Sequence, residues 1–267
     1  MGLVSLTSDK HLFTVITNPK CACGTIKHWF YYVNNILPRT MAECLDQDLS
    51  PHDPYKGPRE NWIDEKVMTQ RVPPPDNYYR FIVVRNPWAR LVSTFVEKVI
   101  TKNSLYPGST LHSDDYEYSC LNTKELTCKW CGIHGPTALP KDITFRQFVH
   151  RICGVADHQL DAHLIPQNSY YRGIKFNRVV KVENLVEDMD KVREDIGISD
   201  DFDFGICRWG EMPKADPADK VPEGLYDIPA NQLKGPFPAY KHFYDQGLID
   251  MVTRRYEVDG RFGYEYL

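Results

Sequence analysis

Lys20 stands in the run Asn18-Pro19-Lys20-Cys21-Ala22-Cys23-Gly24-Thr25, between an apolar stretch and a stretch of helical periodicity. At such a strand-to-helix turn the first backbone N–H groups of the helix lack intrahelical partners and, with the helix dipole, favour an anion. Lys20 adds charge and Thr25 a hydroxyl; a plain βα turn with a surface lysine is the simpler reading of the same residues. The Walker A pattern GxxxxGK[ST] is absent and no Asp follows as a clear magnesium ligand, so a nucleotide kinase has no support here. A second set begins at Arg85, where another strand closes, and continues with Arg90 and Ser93 at i,i+3 spacing on the polar face of the next helix. These groups suit a phosphate held by charge-assisted bonds, and equally an Arg–carboxylate network on a solvated face. Two such turns on one sheet weigh toward the anion. His158 and His163 are candidate proton acceptors, because imidazole titrates near neutrality, and structural histidines otherwise. Cys120, Cys128, Cys131 and His134 give C-x7-C-x2-C-x2-H. The CxxC pair is zinc-like, the remaining spacing is not that of a common finger, and free thiols in a loop are the alternative.

Three strand–helix units position these residues. Residues 11–17 (HLFTVIT) read as a buried strand, followed by Ile26, Trp29, Phe30, Val33 and Leu37 at helical spacing. Residues 79–84 (YRFIVV) form a second strand, and Pro87 suits the first turn of the next helix. There Trp88, Leu91, Val92, Phe95, Val96 and Val99 make an apolar stripe, with Arg90, Ser93, Thr94, Glu97 and Lys98 on the other side. The third unit is the strand 178–182 (RVVKV) and a helix over 185–196. Strands separated by helices imply an α/β fold, a central parallel β-sheet flanked by helices, with ligands beyond the carboxyl ends of its strands. Residues of about 40–76 and 205–240, dense in Pro and Gly, and 103–141 read as loop elaborations around a site. The tail returns to helix, with Phe243, Leu248, Met251, Val252 and Tyr256 apolar. No linker separates domains, so one domain spans 1–267.

With 267 residues, 42% hydrophobic and 25% charged, the chain has the composition of a globular protein rather than a collagen, a disordered segment or a coiled coil. A net charge of −4 gives no general attraction to nucleic acid and leaves room for a local basic site. No run approaches the ~20 apolar residues of a membrane span. The N-terminus has no signal-peptide pattern, and Leu6 stands where myristoylation wants Ser or Thr. Eight cysteines without an export signal imply reduced thiols and a cytoplasmic protein; the charge balance and the lack of an apolar run imply neither nucleic acid nor membrane as partner.

TNPKCACGTIKHWF resembles the 5′-phosphosulfate loop of the sulfotransferases, in the form used by the carbohydrate sulfotransferase group. RNPWARLVSTF is similar to that group's 3′-phosphate motif, an Arg with a Ser eight residues on. DAHLIPQ at 161–167 resembles its His-containing segment, and VVKVENL with the tail VTRRYEVDGRFGYEYL its closing pattern. The cytosolic small-molecule sulfotransferases differ in having a shorter loop, usually with Ser-Gly-Thr-Thr. The resemblance implies the P-loop-NTPase-like sulfotransferase fold and transfer of a sulfuryl group from 3′-phosphoadenosine 5′-phosphosulfate (PAPS), with adenosine 3′,5′-diphosphate (PAP) as product and no metal required. Carried over by position, Lys20 contacts the oxygen bridging phosphate and sulfate. By the same resemblance the backbone amides of Ala22, Cys23, Gly24 and Thr25 and the Thr25 hydroxyl would hold the 5′-phosphate, Arg85 and Ser93 would hold the 3′-phosphate, and Cys21 and Lys27 also belong to the donor-binding set. His163 is the first choice for the base and His158 the second. A soluble chain favours a small metabolite or natural product as acceptor over a glycan. A non-catalytic nucleotide- or glycan-binding protein is the reading from another class, against which Lys20 and His163 together speak.

Overall fold

In the computed structural model the apolar runs pair into a sheet whose inner strands are covered on both faces, with every residue of 13–17 and the last four of 79–84 buried. The structure describes residues 4–47, 75–101, 142–157, 160, 162–169, 173–207, 215–216 and 221–264. Strands β1 (Val4–Ser8), β2 (Phe13–Thr17), β3 (Tyr79–Val84) and β4 (Arg178–Lys181) form one sheet in the order β1-β2-β3-β4. β2, β3 and β4 run parallel, as the strand–helix units imply. β1 pairs antiparallel with β2, so the sheet is mixed rather than wholly parallel. Its sequence, VSLTS, alternates apolar and polar residues only over 4–7, too short a run to announce a strand by itself. The hairpin is set by register: Leu6 lies opposite Val15, and Thr7 opposite Thr14, whose hydroxyl groups bond at 3.1 Å in a buried setting.

Contacts divide the chain into two compact units, Met1–Asn86 with Tyr170–Glu211, and Pro87–Ser169 with Met212–Leu267. The first holds the sheet. Against one face pack α1 (Cys23–Val33) and α5 (Leu185–Ile196). Ile26, Trp29, Phe30 and Val33 of α1 recur at helical spacing and join Phe13, Val15, Phe81, Val83 and Val180 of the sheet with Met189 and Val192 of α5. Phe13 anchors this core, its ring 5.5 Å from that of Trp29 and edge-on to Phe30 at 5.8 Å. The helix 185–196 stands where the sequence placed it, and the strand expected over 178–182 ends one residue sooner, at Lys181, where Val182–Asn184 form a 3-10 turn. Asp188 accepts a hydrogen bond from the Lys181 N–H at 2.9 Å, and Gly197, at φ 68, ends the helix in the left-handed conformation. Within the 40–76 stretch a short helix, α2 (Met41–Asp46), departs from the expected loop. Thr40 and Glu43 form the reciprocal capping box that allows it.

The second unit contains α3 (Pro87–Thr94), continued by the π-helical segment Phe95–Thr101, with α4 (Phe145–Cys153) and α6 (Gln246–Arg255). Phe95, Phe148, Phe243 and Tyr244 each set a ring 5.1–5.5 Å from a neighbour in a cluster with Phe145. Thr144 and Gln147 cap α4, and the Asp245 carboxylate accepts from the Leu248 N–H at 2.9 Å to start α6. Among the described residues, the 205–240 stretch holds only short 3-10 turns, Leu225–Asp227 and Ala230–Gln232. The 103–141 loop, with Cys120, Cys128, Cys131 and His134, lies outside the described residues. Among them, no helix is long and apolar enough to cross a membrane.

Candidate active site

The loop from Asn18 to Thr25 is built from the end of β2 outward. Asn18 is buried; its Nδ2 donates to the Val83 carbonyl at 3.1 Å and its own carbonyl accepts from the Cys21 N–H at 3.1 Å, which ties the loop's entry to β3. Lys20 and Ala22 then take the left-handed conformation, φ 66 and 51. For residues with a Cβ this costs ~1–2 kcal/mol each and persists where the surroundings over-determine it. Ala22 occupies the N-cap of α1 and has no side-chain acceptor to offer, so the amides that open the helix receive no cap. The first intrahelical bond runs from the Ile26 N–H to the Ala22 carbonyl at 3.0 Å. A helix start with leading amides uncapped, behind a buried Gly24 and Thr25, suits an anionic oxygen. Cys21 is buried with its thiol donating to the Pro19 carbonyl at 3.6 Å, so its side chain shapes the loop. Cys23 and Lys27 are half-buried.

Arg85 follows β3. Because β2 and β3 are parallel neighbours, their carboxyl ends lie side by side, and Arg85 Nη1 donates to the Lys20 carbonyl at 3.2 Å. The structure thus brings Lys20, the helix start and Arg85 together at one sheet end, as expected for ligands beyond parallel strands. The next residue, Asn86, donates its N–H to the Glu183 carboxylate at 2.8 Å, joining the ends of β3 and β4.

Ser93 and His163 belong to the second unit, both half-buried. His158 lies outside the described residues. Arg90 departs from expectation. It is 2% exposed rather than on a solvated face, and its guanidinium donates to the Ile165 carbonyl at 2.8 Å and the Ala162 carbonyl at 2.9 Å. A guanidinium can enter a core when carbonyl oxygens replace its water. Thr94, also buried, donates its single hydroxyl hydrogen to the Arg90 carbonyl at 3.0 Å and shares it, as the weaker arm, with the His163 carbonyl at 3.4 Å. From the chain's end, the Tyr256 hydroxyl donates to the Leu164 carbonyl at 2.7 Å, and the buried Asp259 carboxylate accepts from the N–H groups of Gln167 at 3.0 Å and Asn168 at 2.8 Å. Burial pushes the Asp259 carboxyl above its ordinary range, against the pull of those amides and of Arg90. The sequence carries no local signal for this set, because the partners stand far apart in the chain.

Three parallel strands of a mixed sheet, whose ends carry Lys20, Arg85 and the start of α1, make the α/β arrangement in which ligands are commonly bound at strand ends. More narrowly, residues 5–262 match the model described as the sulfotransferase family, and the chain belongs to that family. Its activity is sulfotransfer, generally from PAPS, to an acceptor substrate. No curated protein and no solved structure matches the chain.

Proposed function

We propose that the protein transfers the sulfuryl group of PAPS to a hydroxyl or amine of a small diffusible acceptor, with residues 1–267 acting as one cytoplasmic sulfotransferase domain. The observation that carries the reading is the meeting of Lys20, the uncapped start of α1 and Arg85 at the ends of β2 and β3. The backbone of Ala22 to Thr25 and the Thr25 hydroxyl would hold the 5′-phosphate, and Arg85 with Ser93 the 3′-phosphate. The acceptor oxygen or nitrogen attacks sulfur in line, its proton passes to His163, and the bond from sulfur to the bridging oxygen breaks. The leaving diphosphate gains negative charge, which Lys20 and the loop amides neutralise. His158 is the alternative base.

Titration calorimetry of the full chain tests the donor site. PAP should bind more tightly than AMP, and Arg85→Ala should weaken PAP by ~1.5–3 kcal/mol, the worth of a charge-assisted contact. Equal affinities for the two nucleotides would remove the 3′-phosphate assignment. Release of PAP from PAPS, screened against phenols, hydroxylated metabolites and glycans with EDTA present, reads the activity and the acceptor class. Tight PAP binding without turnover on any acceptor would make this a binding protein; loss of activity in EDTA, restored by magnesium, would point to a kinase.

A further inference from the structure

Residues 162–165, the turn that carries His163, are held by their carbonyl groups. Arg90 Nη2 donates to Ala162 at 2.9 Å, Thr94 Oγ1 to His163 at 3.4 Å, the Tyr256 hydroxyl to Leu164 at 2.7 Å, and Arg90 Nη1 to Ile165 at 2.8 Å. Just downstream the Gln167 and Asn168 amides donate to Asp259. The holders are themselves inside the protein, at 2% exposure for Arg90, 1% for Thr94, 4% for Tyr256 and 0% for Asp259. Leu164 and Ile165 already anchor the turn with buried apolar side chains. Apolar packing fixes where a turn sits but tolerates rotation of its peptide planes. Bonds to consecutive carbonyls fix those planes, and with them the direction in which the His163 side chain leaves the backbone. Burying a guanidinium and a carboxylate here is costly unless both are bonded, and the two offset one another, since the Arg90 charge draws the Asp259 carboxyl down.

We infer that Arg90, Thr94, Tyr256 and Asp259 are positioning residues that hold the His163 imidazole in its proton-accepting pose. The inference rests on the reading of His163 as the base. A general base displaced by about 1 Å loses on the order of 10²-fold in rate, so a turn fixed by side-chain bonds would act on turnover and not on donor binding.

The test uses the full chain with Tyr256→Phe, Thr94→Val and Arg90→Lys, each alone and combined with His163→Ala. The first two remove a hydroxyl at nearly constant shape and carry the test if Arg90→Lys fails to fold. Turnover, read as PAP release with the best acceptor of the screen, should fall about 10-fold in the single variants, with the KM for PAPS within about 2-fold of wild type. In the His163→Ala background the same substitutions should cost nothing further, because residues acting through one group are not additive. Independently of any acceptor, the imidazole NMR signal of His163 should shift or split in Tyr256→Phe while those of His150 and His242 stay in place. Losses that multiply with His163→Ala, or an unchanged His163 signal, would overturn the positioning role and leave the base intact. If His163→Ala alone retains turnover, the base assignment itself fails, and that is seen without any of the holding residues being touched.

Discussion

At the scale of the residue, the proposed mechanism gives Lys20 and His163 different steps, which experiment can separate. His163→Ala should lower turnover by ~10²–10⁴ and leave PAP affinity nearly unchanged, since a general base works mainly in the transition state. Lys20→Ala should lower turnover and also weaken the donor, because its charge serves both ground and transition states. Calorimetry beside single-turnover kinetics distinguishes the two patterns, and equal loss of nucleotide affinity in both variants would contradict the division of roles.

At the scale of the element, α1 does two jobs: its start, without a side-chain cap from Ala22, follows the loop of Lys20 at the strand ends, and its apolar face is buried in the core. His28 joins this helix to the chain that follows. It is fully buried, its Nε2–H donates to the Pro38 carbonyl at 2.8 Å, and the Cys44 thiol of α2 lies 3.4 Å from the same nitrogen. Burial holds its pKa below the ordinary 6.5, outweighing the bond to Pro38. The unfolded chain therefore takes up the proton first, and the stability conferred by neutral His28 is present above the unfolded value and lost as pH falls through the folded one. His11, bonded to the Val33 carbonyl, is shifted the same way by burial. The urea midpoint should accordingly drop between pH 7.5 and pH 5.5, and His28→Gln, which keeps a donor for Pro38 without the titration, should show a smaller drop. An identical drop in wild type and variant would dismiss His28 as a source of the pH dependence.

At the scale of the whole molecule, surface carboxylates in both units are held below the ordinary 3.8, Asp195 by Tyr79 and then Arg178, Asp201 by Tyr32 and then Arg39, and Asp227 by Arg146. A lowered folded pKa means stability present above the unfolded value and lost as pH falls through the folded one. The calorimetric midpoint should decline as acidification passes about pH 4, and less steeply in Asp195→Asn and Asp227→Asn than in wild type. Exposed pairs of this kind are weak and screened, so the effect should shrink in high salt. An acid limb indifferent to both substitutions would place its origin elsewhere.

Local patterning in the sequence was enough for the parallel strands, the helices over 185–196 and the tail, and the basic loop at a helix start. Each depends on neighbours within a few positions: the period of burial, a Pro in a first turn, a run of small residues after a strand. The edge strand β1 was not legible, because the alternation of VSLTS covers only residues 4–7 and it is the pairing with β2 that makes so short a run a strand. Arg90 was misread for the same reason. On a helical wheel it belongs with the polar residues, whereas in the fold the carbonyl groups of 162 and 165 take its charge into the core. The sequence alone therefore determined which residue types stand at which strand ends and helix starts. Only the tertiary structure decided that Arg85 reaches the Lys20 carbonyl and that Arg90, Thr94, Tyr256 and Asp259 converge on the turn of His163, since hydrogen bonds between residues so distant in the chain leave no periodic trace in it.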